Sequence, residues 1–307
     1  MTRVAAVDCG TNTIKLLVAD LDPATGEQHD LVREMRIVRL GQDVDRTGML
    51  ADEALDRTFA AIEEYAGIVE RHGAERLRFC ATSAARDAGN ADAFRAGVHK
   101  RLGVDPEVVT GDEEAQLSYD GATRALADVP APVLVVDIGG GSTELILGTG
   151  DAHVAAARSL DIGSVRLTER LMPSDPPTPD EVAAATRAVD EALDTLPSYG
   201  VRLEDAATVV GVAGTITTVA AVLLGLTAWD RGRVHGARFP VADVDGLTAR
   251  LLAATVGERE QMRIPSGRSD VIGAGALILD RVLRRAQVGD LLVSDSDILD
   301  GIAWSIA

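Results

Sequence analysis

The 307-residue chain predicts an α/β fold of two domains, and three observations carry that prediction. Apolar runs of strand length alternate with longer amphipathic stretches, the pattern of strands interleaved with helices and of partly parallel sheets. The segment VAAVDCGTNTIKLLVA (Val4–Ala19) returns without gaps as VLVVDIGGGSTELILG (Val133–Gly148), with Asp8 on Asp137, Gly10 on Gly139, Thr13 on Ser142 and Lys15 on Glu144. The length suits two domains of roughly 150 residues each. A repeat spaced this widely is no solenoid. It predicts two related domains facing one another, each offering a polar-tipped hairpin to a shared cleft.

Strands are expected at Val4–Val7, Ile14–Ala19, Leu31–Leu40, Leu77–Ala81, Glu107–Val109, Val133–Val136, Glu144–Leu147, Thr208–Val212 and Leu291–Val293, where β-branched and apolar residues cluster. Helices are expected at Asp52–His72, Ala91–Leu102, Asp112–Ala127, Asp180–Leu196, Ile216–Leu224, Val244–Thr255, Asp270–Ala286 and Ile298–Ile306. Before the helix at Asp180, the loop MPSDPPTPD supplies Thr178 as N-cap, Pro179 in the first turn and Glu181 at the capping-box position. The domain boundary is expected at DVPAP (Asp128–Pro132). That gives domains 1–128 and 129–307, with the terminal helix 297–307 packing back on the first.

Thirty basic residues against forty-eight acidic ones leave a net charge of −18, which argues against nucleic acid and anionic membrane as partners. Aromatic residues make up only 3% of the chain, so stacking platforms for single strands are not expected and the core is aliphatic. Two cysteines, Cys9 and Cys80, form no disulfide framework and fit a reducing, cytoplasmic location. The uncharged stretch Ala206–Trp229 is broken by VAGT at its middle and reads as a buried strand followed by a helix, not a membrane span.

Backbone amides in a glycine-rich turn can converge on an anion without any positive side chain. Gly139, Gly140 and Gly141 allow close backbone approach, and Thr11, Thr13, Ser142 and Thr143 can add hydroxyl donors. The aspartate ending each preceding strand is placed to hold Mg2+, which reconciles an acidic chain with a phosphate ligand. The same Asp-x-Gly turns also serve simply to close tight hairpins. Likewise, Asp112, Glu113 and Glu114 suit the start of a helix through its dipole as well as they suit proton transfer. GVAGTITT reads equally as a helix N-terminus facing a phosphate and as a plain strand-to-helix turn. His235 in VHG is expected to hydrogen-bond structurally, and Cys9 to be buried and unreactive.

The paired turns resemble those of the actin, sugar-kinase and heat-shock-chaperone superfamily. DIGGGSTEL, with AVDCGTNT, ATSAARDAGN (Ala81–Asn90), GDEEAQLSY (Gly111–Tyr119), GVAGTITTVAAV, VHG, GRSDVIGAGALIL and VSDSDILDGI in that order, resembles more narrowly the exopolyphosphatase and guanosine pentaphosphate phosphatase family. The resemblance spans nearly the whole chain and implies two actin-like (ribonuclease H-like) α/β domains. It further implies Glu114 as general base and Gly10, Thr11, Asn12, Thr13, Arg86, Gly139, Gly140, Gly141, Ser142 and Thr143 as phosphate-binding residues. Asp137 and Glu144 are implied as metal carboxylates, with Asp8 serving a second ion or supporting its loop. Lys15 stands at the position of Glu144, making one wall basic and the other acidic unless strand alternation turns it to solvent.

The expected function is Mg2+-dependent exopolyphosphatase activity, releasing orthophosphate from the end of inorganic polyphosphate. Guanosine pentaphosphate is the alternative substrate, and an actin-like nucleotide switch the alternative without catalysis. A homodimer is compatible with the sequence. Because the chain stops at Ala307, soon after VSDSDILDGI, and is strongly acidic, short polyphosphate chains and distributive release are expected.

Overall fold

The computed structural model describes residues 1–124, 126, 129–149 and 154–307, so Asp128, at the expected boundary, lies outside the described residues. Two compact domains form: Met1–Gly121 together with Ile298–Ala307, and Ala122–Asp297. The division falls inside a helix, Gly111–Arg124, and not at 128/129. The prolines of DVPAP mark where the next strand starts, not where the last turn of the preceding helix belongs.

In the first domain β1 (Thr2–Cys9), β2 (Thr13–Asp22) and β3 (Glu27–Ile37) run antiparallel, while β4 (Arg76–Ala81) and β5 (Glu107–Val108) add in parallel beside β1. The strand order is 3-2-1-4-5. Helices α1 (Val44–Thr47), α2 (Asp52–His72), α3 (Ser83–Asp87), α4 (Ala91–Leu102) and α5 (Gly111–Arg124) connect them. β1 is apolar from Val4 to Val7 because both of its faces are covered there. Ala5, Val7 and Cys9 pack with Ile62 and Tyr65 of α2 and Phe94 of α4. Val4 and Ala6 pack on the other side with Leu117 of α5 and Ile298, Leu299 and Ile302 of the C-terminal helix.

The second domain repeats the scheme. β6 (Val133–Ile138), β7 (Thr143–Gly148) and β8 (Val154–Leu160) run antiparallel, and β9 (Thr208–Val212) lies parallel to β6. β10 (Arg238–Pro240) then forms an antiparallel edge on β11 (Asp290–Val293), for an order 10-11-9-6-7-8. Read from β8, this is the order of the first sheet with one edge strand added, so the two domains are related as the internal repeat implies. Its helices are α6 (Ser164–Leu171), α7 (Pro179–Leu193), α8 (Ala213–Leu223), α9 (Arg231–Val234), α10 (Val241–Ala253), α11 (Val256–Gln261) and α12 (Ile272–Ala286). At the start of α7 the Thr178 side chain accepts from Glu181 N and the Glu181 carboxylate from Thr178 N, a complete capping box.

Several elements escape the sequence pattern. β8 carries three consecutive alanines, which have little strand propensity of their own, and forms because β7 offers it a ladder. The strand expected to run to Leu40 ends at Ile37, since the amides of Val38 and Arg39 turn to the carbonyl of Asn12. Helix α8 begins at Ala213, directly after β9 and ahead of the expected Ile216. Among the described residues no helix is long and apolar enough to cross a membrane.

The C-terminal helix α13 (Ile298–Trp304) is held by polar as well as apolar contacts. Asp300, 2% exposed, accepts from Arg33 and from Gln28 Nε2 at 2.8 Å, and Trp304 Nε1 donates to Gln28 Oε1 at 2.8 Å. Gly301 lies so close to α5 that a Cβ there would overlap the Leu117 carbonyl oxygen. Gly301→Ala is therefore expected to destabilise the first domain by about 2 kcal/mol or more, because a helix backbone must shift to admit one methyl group. Thermal denaturation measures it, and an unchanged midpoint would contradict this packing.

Candidate functional site

The two hairpins are built alike. Gly10 N donates to Thr13 O at 2.9 Å, and Gly139 N donates to Ser142 O at 3.0 Å, closing equivalent four-residue turns. Just before each turn two residues stand directly opposite across the strands, Asp8 on Lys15 and Asp137 on Glu144, with side chains on a common face. In the first domain this is an ion pair, with Lys15 Nζ 3.3 Å from Asp8 Oδ2 and the lysine side chain 14% exposed. Lys15 does not turn to solvent, and its ammonium sits against the carboxylate of Asp8. In the second domain the same positions hold two carboxylates, Asp137 at 7% and Glu144 at 1% exposure, and Ser159 Oγ donates to Glu144 Oε1 at 2.7 Å. A cation bound between two facing carboxyl groups would favour the ionised form of both.

The donor set fits Mg2+, a hard cation that takes one or two carboxylates and fills its remaining positions with water and phosphate oxygens. Among the described residues no cluster of three or more histidine, cysteine or acidic side chains could enclose an ion by itself.

The carbonyls of both turns are engaged from behind. Thr11 O accepts from Gly41 N at 2.8 Å, and Asn12 O accepts from Val38 N at 3.0 Å and Arg39 N at 2.9 Å. Gly139 O accepts from Ser164 N at 3.0 Å, and Gly140 O from Val165 N at 2.9 Å and Arg166 N at 3.1 Å. Among the described residues no protein group accepts from the amides of Gly140, Gly141 or Ser142. Amides left without a protein acceptor in a tight turn are donors that an anion could use. Thr143 departs from its expected role as a phosphate donor: its buried hydroxyl donates to Ile162 O at 2.6 Å and so carries its only proton away from the turn.

In the first domain β4, α3 and the start of α5 gather beside the Gly10 turn. Thr82 N donates to Cys9 O at 3.2 Å, and Val109 N to Ala81 O at 3.1 Å. Thr110 Oγ1 accepts from Glu113 N at 3.2 Å, capping the first turn of α5. That turn separates the acids. Asp112 and Glu113 are exposed, and Glu113 pairs with Arg78 at 2.8 Å, whereas Glu114 is 7% exposed. Arg86 Nη1 lies 3.4 Å from Glu114 Oε2 and donates to Val109 O at 3.2 Å. A guanidinium presents five N–H donors in a fixed fork, so an arginine held in this way can grip a carboxylate and a phosphate oxygen together. Asn90, in the same motif as Arg86, is a structural staple, bonding Leu50 N at 2.8 Å and Leu50 O at 2.9 Å.

Other motif residues act within the second domain. His235 Nδ1 accepts from Asp295 N at 3.2 Å, the structural hydrogen bond expected of it. Arg268, which the sequence reading passes over, donates from NH1 to Gly214 O at 2.9 Å and to Thr218 Oγ1 at 2.8 Å, gripping the first turn of α8. Burial pulls its guanidinium pKa below the ordinary arginine value, while Asp297 opposes the shift. Ser159, Ser164, Gly41 and Gly163 are also missed. A shared spacing could have found the glycines: Arg36 precedes Gly41, and Arg158 precedes Gly163, by the same interval.

Fold and site together define a two-domain actin-like α/β protein carrying one glycine-closed hairpin turn in each domain. The chain belongs to the Ppx/GppA phosphatase family, whose model matches residues 17–306. It is 49% identical to exopolyphosphatase 2 of Mycobacterium tuberculosis over 323 aligned positions, covering 100% of this chain and 99% of that protein. Among solved structures it is similar to an exopolyphosphatase-like protein, with 41% identity, a TM-score of 0.95 and coverage of 99% of this chain and 97% of the other. It is also similar to the Ppx/GppA family member of Aquifex aeolicus, with 31% identity, a TM-score of 0.83 and the same coverages. The family match begins after the Gly10 turn, but these relatives align across nearly all of the chain and so bring that turn into the comparison.

Both cysteines beside the first turn are buried and unpaired. Burial pushes the Cys9 thiol well above its ordinary pKa and that of Cys80 up to about 12. A thiol with a pKa of about 12 is ionised to roughly one part in ten thousand at pH 8. The native protein is thus expected to resist iodoacetamide at pH 8 and to take up two labels only after unfolding, as mass spectrometry would read. Rapid labelling of the native chain would contradict this placement.

Proposed function

We propose that this chain is an exopolyphosphatase that hydrolyses the terminal phosphoanhydride bond of inorganic polyphosphate and releases orthophosphate, with Mg2+ as its bound ion. The observation that carries the reading within the structure is the pairing of Glu114 with Arg86 at the start of α5, beside a glycine turn. Family membership and a relative named exopolyphosphatase 2 at 49% identity support the substrate.

Hydrolysis needs a water oxygen to bond to the terminal phosphorus while the bridging P–O bond breaks and its electron pair leaves on the shortened chain. Glu114 accepts the proton of that water, a contribution worth on the order of 10²–10⁴ in rate. Arg86 orients the carboxylate and offers its fork to the phosphate. The amides of Gly140, Gly141 and Ser142 hold phosphate oxygens through fixed dipoles, which suits a chain whose net charge of −18 would otherwise repel the substrate. Asp137 and Glu144 would hold Mg2+, which supplies neutralisation of phosphate charge. Asp8, already matched by Lys15, serves as support for its turn. The same acidic surface favours short polyphosphate over long. The two free, buried cysteines support a cytoplasmic location.

The direct test is phosphate release from polyphosphate and from guanosine pentaphosphate, side by side, in a Mg2+ titration. Turnover of polyphosphate, with Asp137→Ala and Glu144→Ala needing more Mg2+ than the parent, is the expected result. Negligible turnover of both substrates would defeat the reading, and turnover of guanosine pentaphosphate alone would reassign the substrate.

Glu114→Gln is expected to lower kcat by about 10²-fold or more with little change in substrate affinity, because the amide keeps the shape but accepts no proton. Glu113→Gln, which loses only an exposed pair with Arg78, is expected to stay within about twofold of the parent. Equal activity in both variants would remove Glu114 as the base.

A further inference from the structure

We propose that Gly41 and Gly163 are positioning residues that aim the backbone amides of the two anion-binding turns, a proposal that rests on reading those turns as phosphate sites. Both glycines follow the third strand of their own sheet. Arg36-Ile-Val-Arg-Leu-Gly41 leaves β3 and Arg158-Ser-Leu-Asp-Ile-Gly163 leaves β8, each with a buried aliphatic residue, Leu40 or Ile162, just before the glycine. The internal repeat thus extends beyond the hairpins to a second, shorter echo.

In each domain the segment at the glycine turns its amides onto the carbonyls of the hairpin. Gly41 N and the amides of Val38 and Arg39 take Thr11 O and Asn12 O. Ser164, Val165 and Arg166, the first residues of α6, take Gly139 O and Gly140 O, and Ser164 Oγ adds a bond to Gly139 O at 3.3 Å. The first-turn amides of α6 have no partner within the helix, and here the turn provides one. A trans peptide is planar, with its C=O and N–H pointing in opposite directions. Drawing the Gly139 and Gly140 carbonyls toward α6 therefore aims the N–H groups of Gly140 and Gly141 the other way. The helix start acts on the turn, and the turn acts on the anion.

Both glycines are required for space and not for backbone freedom. Gly163 has an extended backbone, with φ −149° and ψ 168°, that any residue adopts. A Cβ there would overlap the Gly140 carbonyl oxygen and stand 2.6 Å from Gly141 N, both backbone atoms. A Cβ on Gly41 would overlap the methyl carbon of Thr11, a side-chain atom, and stand 3.3 Å from Ala84 Cβ. The two sites thus predict different rescue behaviour. Removing the Thr11 methyl makes room beside residue 41, whereas no side-chain truncation makes room beside residue 163.

The test uses the full chain, tripolyphosphate as substrate and orthophosphate as a non-reacting ligand. Gly163→Ala is expected to raise KM for tripolyphosphate about tenfold or more with a smaller change in kcat, and to weaken orthophosphate binding in parallel. Hydrogen exchange should accelerate at the amides of Gly139 and Ser164–Arg166 while β6 keeps its protection. Gly41→Ala should show a similar KM defect, and Gly41→Ala/Thr11→Ser should return to within about threefold of Thr11→Ser alone. Gly246→Ala, in open space on α10, controls for the substitution itself. Unchanged KM and exchange in Gly163→Ala, exchange loss spread over the whole second domain, or failure of Thr11→Ser to relieve Gly41→Ala would each overturn the proposal. If the parent turns over no polyphosphate, the functional reading fails, and the exchange pattern and orthophosphate affinity still judge the clamp.

Discussion

The hydrogen bond from Gly139 N to Ser142 O, and its counterpart from Gly10 N to Thr13 O, set the width of the two turns around which each domain is organised. A four-residue turn closed in this way ends one buried strand and starts the next with no residue to spare. It also fixes the register that puts Asp137 opposite Glu144 and Asp8 opposite Lys15. A slip of one residue in either hairpin would put the two partners of its pair on opposite faces of the sheet. The apolar cores serve that register: β1 and β6 are buried along most of their length, so neither can slide without exposing its aliphatic side chains.

The two domains solve one electrostatic problem differently. The first domain neutralises its aspartate with a tethered ammonium, whereas the second buries two carboxylates face to face and braces one of them with Ser159. A lysine supplies a permanent charge whose geometry is limited by its own chain. A facing pair of carboxylates is a donor set that a hard cation could use. One cross-strand position, Lys in the first copy and Glu in the second, thus makes the difference between an ion pair and a pair of facing carboxylates.

Helix α5 shows how one turn of helix sorts three adjacent acids. All three lie where the dipole favours negative charge. Rotation about the helix axis leaves Asp112 and Glu113 in water and carries Glu114 inward to Arg86. The exposed acids help the helix start, and the buried one meets a guanidinium. Neighbouring residues of the same type thus carry different roles because of the angle between them.

Much of this was legible in the chain. The repeated hairpins, the α2 and α4 helices, the Thr178 capping box and the acidic start of α5 are all local patterns, set by periodicity, turn residues and caps within a few positions. The residues that only the tertiary structure assigns act over longer spans. Thr143 gives its hydroxyl to a carbonyl nineteen residues away, Lys15 meets Asp8 across a strand pair, and β8 forms on a ladder that its alanines do not announce. Gly41 and Gly163 look like ordinary loop glycines until the turns they support are in place. Glycines and their spacing mark out which peptides close the two hairpin turns. The packed structure decided which way those peptides point, because a carbonyl's orientation depends on a donor brought to it from a distant part of the chain.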